Sequence, residues 1–178
     1  MPLPVLIALS LGGYAGYKLF SYKCSICGEK KLGLSTPCTI CKEKICNDCQ
    51  KKLEYTYLCP AQRRRDGETD SEVFCKKCFI SEEEEYNKYQ LAVERQAEVE
   101  TWSKNFRGRI PIKAGATEIA IQTGIFLDKD DALKSLKVTA IYLGFNIIYK
   151  VNYVPNTASS ENYKYTTWRA EGIATTKE

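Results

Sequence analysis

The chain has 178 residues, enough for one or two small domains and too few for a large enzyme core. Its 26 Lys and Arg against 22 Asp and Glu leave a formal charge of +4, too mild to point to nucleic acid, and 44% hydrophobic content argues against a wholly disordered chain. Nine Cys and no His exclude Ser-His and Cys-His catalytic couples, His-bearing zinc sites and a His pH switch.

Residues 3–20, LPVLIALSLGGYAGYKLF, carry one charge, Lys18. As a helix they would reach about 27 Å, near the thickness of bilayer hydrocarbon. Gly12 and Gly16 form a GxxxG pair, which permits close helix contact in a membrane. The start, Met1-Pro2-Leu3-Pro4, lacks the positive charge of a secretory signal. Lys18, Lys23, Lys30 and Lys31 sit at or beyond the end of the run, so positive-inside bias would leave the cysteine-rich segment beyond it in the cytosol. Residues 1–22 therefore read as an apolar N-terminal helix and membrane anchor, with a segment packed on the neighbouring module as the alternative.

Eight cysteines form four CxxC pairs: Cys24/Cys27, Cys38/Cys41, Cys46/Cys49 and Cys75/Cys78. A CxxC turn lets two thiolates converge on one ion, and two pairs close a four-thiolate site with no open position for water or substrate. Four pairs thus imply two structural metal sites, with zinc expected and iron as the main alternative. A disulfide framework is the competing reading, natural in a secreted chain. Ten residues separate the first two pairs, four the second and third, and 25 the third and fourth. The gap Lys42-Glu43-Lys44-Ile45 is too short for independent neighbouring ribbons. It favours a cross-brace: Cys24, Cys27, Cys46 and Cys49 on one ion, and Cys38, Cys41, Cys75 and Cys78 on the other. Sequential pairing is the alternative.

The four pairs, the gap ending in Ile45-Cys46 and the closing run Val73-Phe74-Cys75-Lys76-Lys77-Cys78-Phe79 resemble a FYVE-type zinc finger over about residues 23–80. A RING finger needs a Cys-x-His element, which this chain cannot supply. The resemblance implies a two-zinc scaffold. FYVE fingers bind phosphatidylinositol 3-phosphate through an Arg- and His-rich run before the third ligand. Leu34-Ser35-Thr36-Pro37 stands there instead, without a positive charge. The donors that a phosphoinositide headgroup requires are absent, so that lipid is not expected as a ligand.

Cys59 stands outside the pairs and reads as a small buried hydrophobe, with a reactive thiol or extra ligand as the alternative. Arg63-Arg64-Arg65, followed by Asp66-Gly67-Glu68, reads as a solvated loop, an anion site being the sharper reading.

Ser81 before Glu82-Glu83-Glu84-Glu85 has the form of a helix N-cap, and no Pro or Gly interrupts the run to about Asn105. A connector helix is expected over 81–107, with a broken stripe at Tyr86, Tyr89 and Val93.

Gly108 and Pro111 mark a boundary, and 108–178 is expected to be a small β-α-β-β domain. Glu118 to Leu127 alternates and is Ile-rich, as strands are. Asp128, Asp130 or Asp131 can cap a helix with Leu133, Leu136, Ala140 and Leu143 at helical spacing, ended by Gly144. Phe145 to Val154 reads as a strand, Pro155 to Asn162 as a hairpin loop, and Tyr163 to Thr176 as the returning strand. Ala140-Ile141-Tyr142-Leu143-Gly144-Phe145-Asn146, Tyr149 to Tyr153, and Ala170-Glu171-Gly172-Ile173-Ala174 resemble YbjQ-type proteins, described as heavy-metal-binding domains. That resemblance covers about 115–177 and implies closed oligomers. No Cys or His lies beyond Cys78 to support a metal role there. Tyr149, Tyr153, Tyr163, Tyr165 and Trp168 read as cross-strand packing, with a recognition face as the alternative.

The sequence thus reads as a multi-part α+β protein: apolar helix, cross-brace two-zinc module, connector helix and α+β domain. A non-enzymatic zinc-binding adaptor is expected, cytoplasmic and held at a membrane through 3–20, with homo-oligomerisation through 115–178 and an unidentified protein partner. No catalytic constellation is visible. The alternative is a nucleic-acid-binding zinc protein using Arg63 to Arg65, Arg107, Arg109 and Lys113.

Overall fold

The computed structural model describes residues 21–59, 71–160 and 163–177. They form an α+β protein with two α-helices and several small sheets, divided into two compact units. Among the described residues, the first unit holds 21–53 and 72–83, and the second holds 54–59, 71 and the described part of 84–178.

The first unit is built from very short ladders. Strand β1 (Ser21–Lys23) pairs antiparallel with β2 (Lys30–Leu32), and β3 (Thr36–Pro37) with β4 (Lys44–Ile45). Strand β5 (Gln50–Glu54) pairs with β6 (Ser71–Cys75). Strands of two and three residues bury little, and the fully buried side chains here are Phe74, Ile45 and four of the cysteines. Ser21 and Tyr22, expected in the apolar N-terminal segment, belong instead to β1, where Tyr22 packs on the cluster of Cys24, Cys46 and Cys49.

Helix α1 (Lys76–Arg95) corrects the expected connector at both ends. It starts before Ser81, whose hydroxyl donates to the Cys78 carbonyl at 2.7 Å from within the helix and does not cap it. It stops at Arg95, and after a 3-10 turn at Gln96–Glu98 the chain enters β7 (Glu100–Ser103). Val99, 3% exposed, joins a sheet core there, and Thr101 and Trp102 favour strand over helix.

In the second unit β8 (Ile119–Gln122), α2 (Lys129–Tyr142), β9 (Ile147–Ser160) and β10 (Tyr163–Thr175) complete the chain. The sheet order is β7-β9-β10-β8, with β7 parallel to β9 and the other pairs antiparallel. The alternating run 118–127 yields only a four-residue strand, and Phe126 returns to the sheet through a bridge to Trp168. The β9–β10 hairpin is longer than expected: Pro155 lies inside β9, opposite Trp168. The last β9 partner of β7 is Val151, so among the described residues no strand pairs with the outer side of Pro155 and its missing N–H breaks no second ladder.

Asp128 caps α2, its carboxylate accepting from the Asp131 N–H at 2.8 Å. At the other end Gly144 (φ 90°) closes a Schellman motif: the Phe145 N–H donates to the Ala140 carbonyl at 2.8 Å and the Gly144 N–H to Ile141 at 2.9 Å. Ala132, Leu136 and Ala140, one face at i, i+4 and i+8, pack on Ile121, Ile148, Val151, Ala170 and Ala174. Leu133 is half-buried beside them, and Leu143 is 38% exposed at the cap. A second face is buried too: Ser135 donates to the Tyr57 carbonyl at 2.6 Å, and Tyr142 donates to Glu85 beneath the Lys88 ammonium. Polar Ser135 and Thr139, both 0% exposed, conceal that face from a hydrophobicity reading.

Candidate metal centres

Residues 24–30 and 38–44 share one pattern: Cys24-Ser25-Ile26-Cys27-Gly28-Glu29-Lys30 and Cys38-Thr39-Ile40-Cys41-Lys42-Glu43-Lys44. Both fold into the same knuckle. In the first, the Cys24 N–H donates to the Glu29 carbonyl and the Gly28 N–H to the Cys24 carbonyl, each at 2.9 Å. In the second, Cys38 donates to the Glu43 carbonyl at 2.9 Å and Lys42 to the Cys38 carbonyl at 3.0 Å. The correspondence extends to the third ligand. Ser25 N–H donates to the Lys44 carbonyl at 2.9 Å, two residues before Cys46, and Thr39 N–H to the Val73 carbonyl at 2.8 Å, two residues before Cys75. This repeat is visible in the sequence, although Cys spacing alone does not reveal it.

The knuckle turns through the left-handed region after its second cysteine, at Gly28 (φ 74°) and Lys42 (φ 59°). Glycine occupies that conformation freely, whereas a side chain costs about 1–2 kcal/mol. A Cβ at Gly28 would meet only Lys23 Cε at 3.8 Å, so the cost there is conformational. Gly28→Ala is therefore expected to destabilise the metal-loaded protein by about 1–2 kcal/mol, and Lys42→Gly to stabilise it by up to about 1 kcal/mol. Thermal midpoints of the two variants should move in opposite directions.

The fold gathers the eight paired cysteines into two groups, Cys24, Cys27, Cys46, Cys49 and Cys38, Cys41, Cys75, Cys78. This grouping is that of the cross-brace, not of sequential pairing. Within each group the sulfurs all lie within 4.8 Å of one another. The Sγ–Sγ separations are 3.9 Å for Cys27 and Cys46, and 4.0 Å for Cys41 and Cys75. A tetrahedron with metal–sulfur bonds of about 2.3 Å has edges of about 3.8 Å, whereas a disulfide needs about 2.05 Å. All nine cysteines are free thiols. The donor set therefore fits a four-coordinate metal ion in each group, with every position filled by sulfur.

Backbone amides point at the same sulfurs. Ile26 N–H donates to Cys24 Sγ at 3.5 Å, Cys75 N–H to Cys38 Sγ at 3.4 Å, and Cys78 N–H to Cys75 Sγ at 3.5 Å. The Cys27 amide acts first on the Cys24 thiol, with those of Cys46 and Ile26, and against burial they bring it down to about 6. At Cys38 burial opposes ionisation, but the amides of Cys75, Cys41 and Ile40 outweigh it and the thiol falls to about 7. Cys49 and Cys78 are pushed up to about 12, by burial first and then by the neighbouring thiols. Without a cation each group keeps protons at neutral pH. A bound dication expels them, so acid favours metal release.

Ile26 packs against both cysteine clusters, and Ile45, 1% exposed, sits in the second cluster next to Cys46 of the first. Lys31 pairs with Glu29 at 2.8 Å and Asp48 at 3.2 Å, tying β2 to the turn that carries Cys49. Glu29, which contributes most, and Asp48 together hold its ammonium well above the usual lysine range.

The remaining sequence candidates are scattered. Cys59 is half-buried and outside both groups. Arg107, Arg109 and Lys113 are exposed between β7 and β8, while Arg63 to Arg65 and the anchor at 3–20 lie outside the described residues. Among the described residues no helix is long and apolar enough to cross a membrane. Tyr149 is buried, Tyr153 and Trp168 pack against the sheet core, and Tyr163 and Tyr165 are exposed. Comparison with protein families, with curated proteins and with solved structures finds no match to this chain.

Proposed function

We propose that each cysteine group holds one Zn²⁺ and that the protein is a non-enzymatic, zinc-scaffolded adaptor, anchored by residues 3–20 with the zinc module in the cytosol. The observation that carries this reading is the pair of closed four-sulfur groups, interleaved along the chain, an order consistent with the FYVE-type scaffold that the sequence resembles. A site closed by four thiolates has no position for water or substrate, so its role is structural. Zinc suits it because a d¹⁰ ion accepts whatever tetrahedron the knuckles present and undergoes no redox change in a reducing compartment. Eight thiolates and two dications together carry four negative charges, which offset the formal +4 of the chain.

Residues 34–37, where a FYVE finger carries its lipid-binding cations, contribute the short β3 and no charge, so the module is read as a scaffold without the phosphoinositide site. The outer strands β7 and β8 of the C-terminal sheet offer edges for association between copies.

Membrane fractionation of the full chain and of a form lacking residues 1–20 tests the anchored adaptor. The full chain is expected with the membranes and the shortened form in the supernatant, both with the same zinc content. Equal partition of the two forms would overturn the anchor.

A further inference from the structure

We propose that the face of the C-terminal sheet turned away from α2 binds a small organic carboxylate, held by Lys104 and Lys150 over an apolar floor. A groove of about 470 Å³ lies there, within the size range of small-molecule sites. Ile121 points into the core against α2, and its neighbours Ala120 and Gln122 are exposed on the groove side.

The backbone beneath the groove is irregular in a way that positions one lysine. Between the pairs Tyr149↔Ile173 and Asn152↔Glu171, β9 carries two residues, Lys150 and Val151, against the single Gly172 of β10. The β7 side shows the same extra residue, with a register shift between Thr101 and Ser103. Lys150 is the bulged residue, at φ 55°, a position where glycine is the ordinary occupant. Opposite it, a Cβ on Gly172 would lie 2.7 Å from Ile148 Cγ2 and 3.2 Å from the Tyr149 carbonyl. The glycine that the close packing requires is at 172, while the position that glycine would suit best holds a lysine. As at Lys42, that conformation costs a side chain stability, and here the bulge also sets the lysine at the groove.

The groove's charges select the ligand class. Lys104 and Lys150 face one carboxylate, Glu171, which accepts a hydrogen bond from the Asn152 side chain at 2.8 Å. Neither lysine has an ion pair among the described residues, and the Lys150 ammonium rests 5.5 Å from the Tyr149 ring centre. The backbone amide of Lys104 donates to the Val151 carbonyl at 2.9 Å, fixing that residue beside the bulge. Among the residues that line the groove two cations stand against one anion, an excess of one positive charge that suits a monoanion; Glu118, beside the Tyr149 hydroxyl, stands outside that lining. Ala120 and Ile173 supply apolar surface for an organic body, and Asn152 and Gln122 supply amides for a polar substituent.

This groove stands independently of the metal reading. Its test is amide-shift titration of the ¹⁵N-labelled, zinc-loaded full chain with benzoate, benzamide and inorganic phosphate. Saturable shifts with benzoate are expected at Lys104, Gln122, Lys150, Asn152 and Ile173, with benzamide and inorganic phosphate each about tenfold weaker, as loss of a charge-assisted contact or of the apolar one implies. Lys150→Gly is expected to weaken benzoate binding about tenfold while raising the melting temperature. Absent or unsaturable shifts, or phosphate binding as tightly as benzoate, would overturn the assignment. Undiminished benzoate binding by Lys150→Gly, or a lower melting temperature, would overturn the role given to that lysine.

Discussion

Cys75→Ser is expected to empty both metal sites, although Cys75 belongs to only one of them. The strands of the first unit are two to five residues long, too short to hold a fold by burial. Structural zinc contributes about 10–16 kcal/mol of apparent binding free energy in small modules, comparable to the whole stability of an ordinary domain. Losing one ligand opens a closed site, and the other site, steadied locally by the β1–β2 ladder and the Lys31 ion pairs, still shares strands with it. Ile45 lies in the cluster of Cys38 and Cys75, and the next residue is Cys46, a ligand of the other site. The Lys44 carbonyl that steadies the first knuckle sits on β4, and β4 pairs with β3 just before Cys38. Each site therefore folds the strand that delivers a ligand to the other. Metal analysis of Cys75→Ser should find well below one zinc per chain. One full equivalent retained would show that the sites fold independently.

Leu136→Ala is expected to give the largest loss in the second unit. Leu136 is 0% exposed and sits at the centre of the face that α2 lays on the sheet, between Ala132 and Ala140. Those neighbours are already small and cannot expand into the space, so the cavity would persist. Such truncations cost about 2–5 kcal/mol, which for a unit of about a hundred residues lowers the melting temperature by about 10–30 °C. Leu133→Ala, at a half-buried position beside the same core, should lose clearly less. Both variants should keep their metal, since neither touches the cysteine groups. Thermal unfolding followed by circular dichroism, with metal content measured on the same samples, checks both statements.

The metal groups are legible in the sequence because ligand chemistry is local: CxxC spacing, and the four-residue gap between Cys41 and Cys46, restrict how the pairs can combine. Helix α2 is legible for a similar reason, its cap at Asp128 and its stop at Gly144 being local signals. The start of helix α1 is obscured where a local signal is ambiguous. Ser81 resembles an N-cap, but it lies after Cys78, and the chain becomes helical right after Cys75. The strand at Glu100–Ser103 escapes a sequence reading because its partner, β9, is more than forty residues away and parallel to it. Long-range pairing leaves little trace in four residues. The bulge at Lys150 is invisible for the same reason: nothing in Tyr149-Lys150-Val151 reveals that Gly172 will stand opposite. The second buried face of α2 is hidden by Ser135 and Thr139, polar residues that read as solvated.

Each of the two interleaved four-thiolate groups is expected to hold one structural zinc ion. Native mass spectrometry of the full chain, purified without added metal, tests it most directly. Two zinc ions per chain are expected, leaving together on titration with a chelator and with no prominent one-zinc species. Fewer than two ions at saturation, or a stable folded one-zinc form, would contradict it.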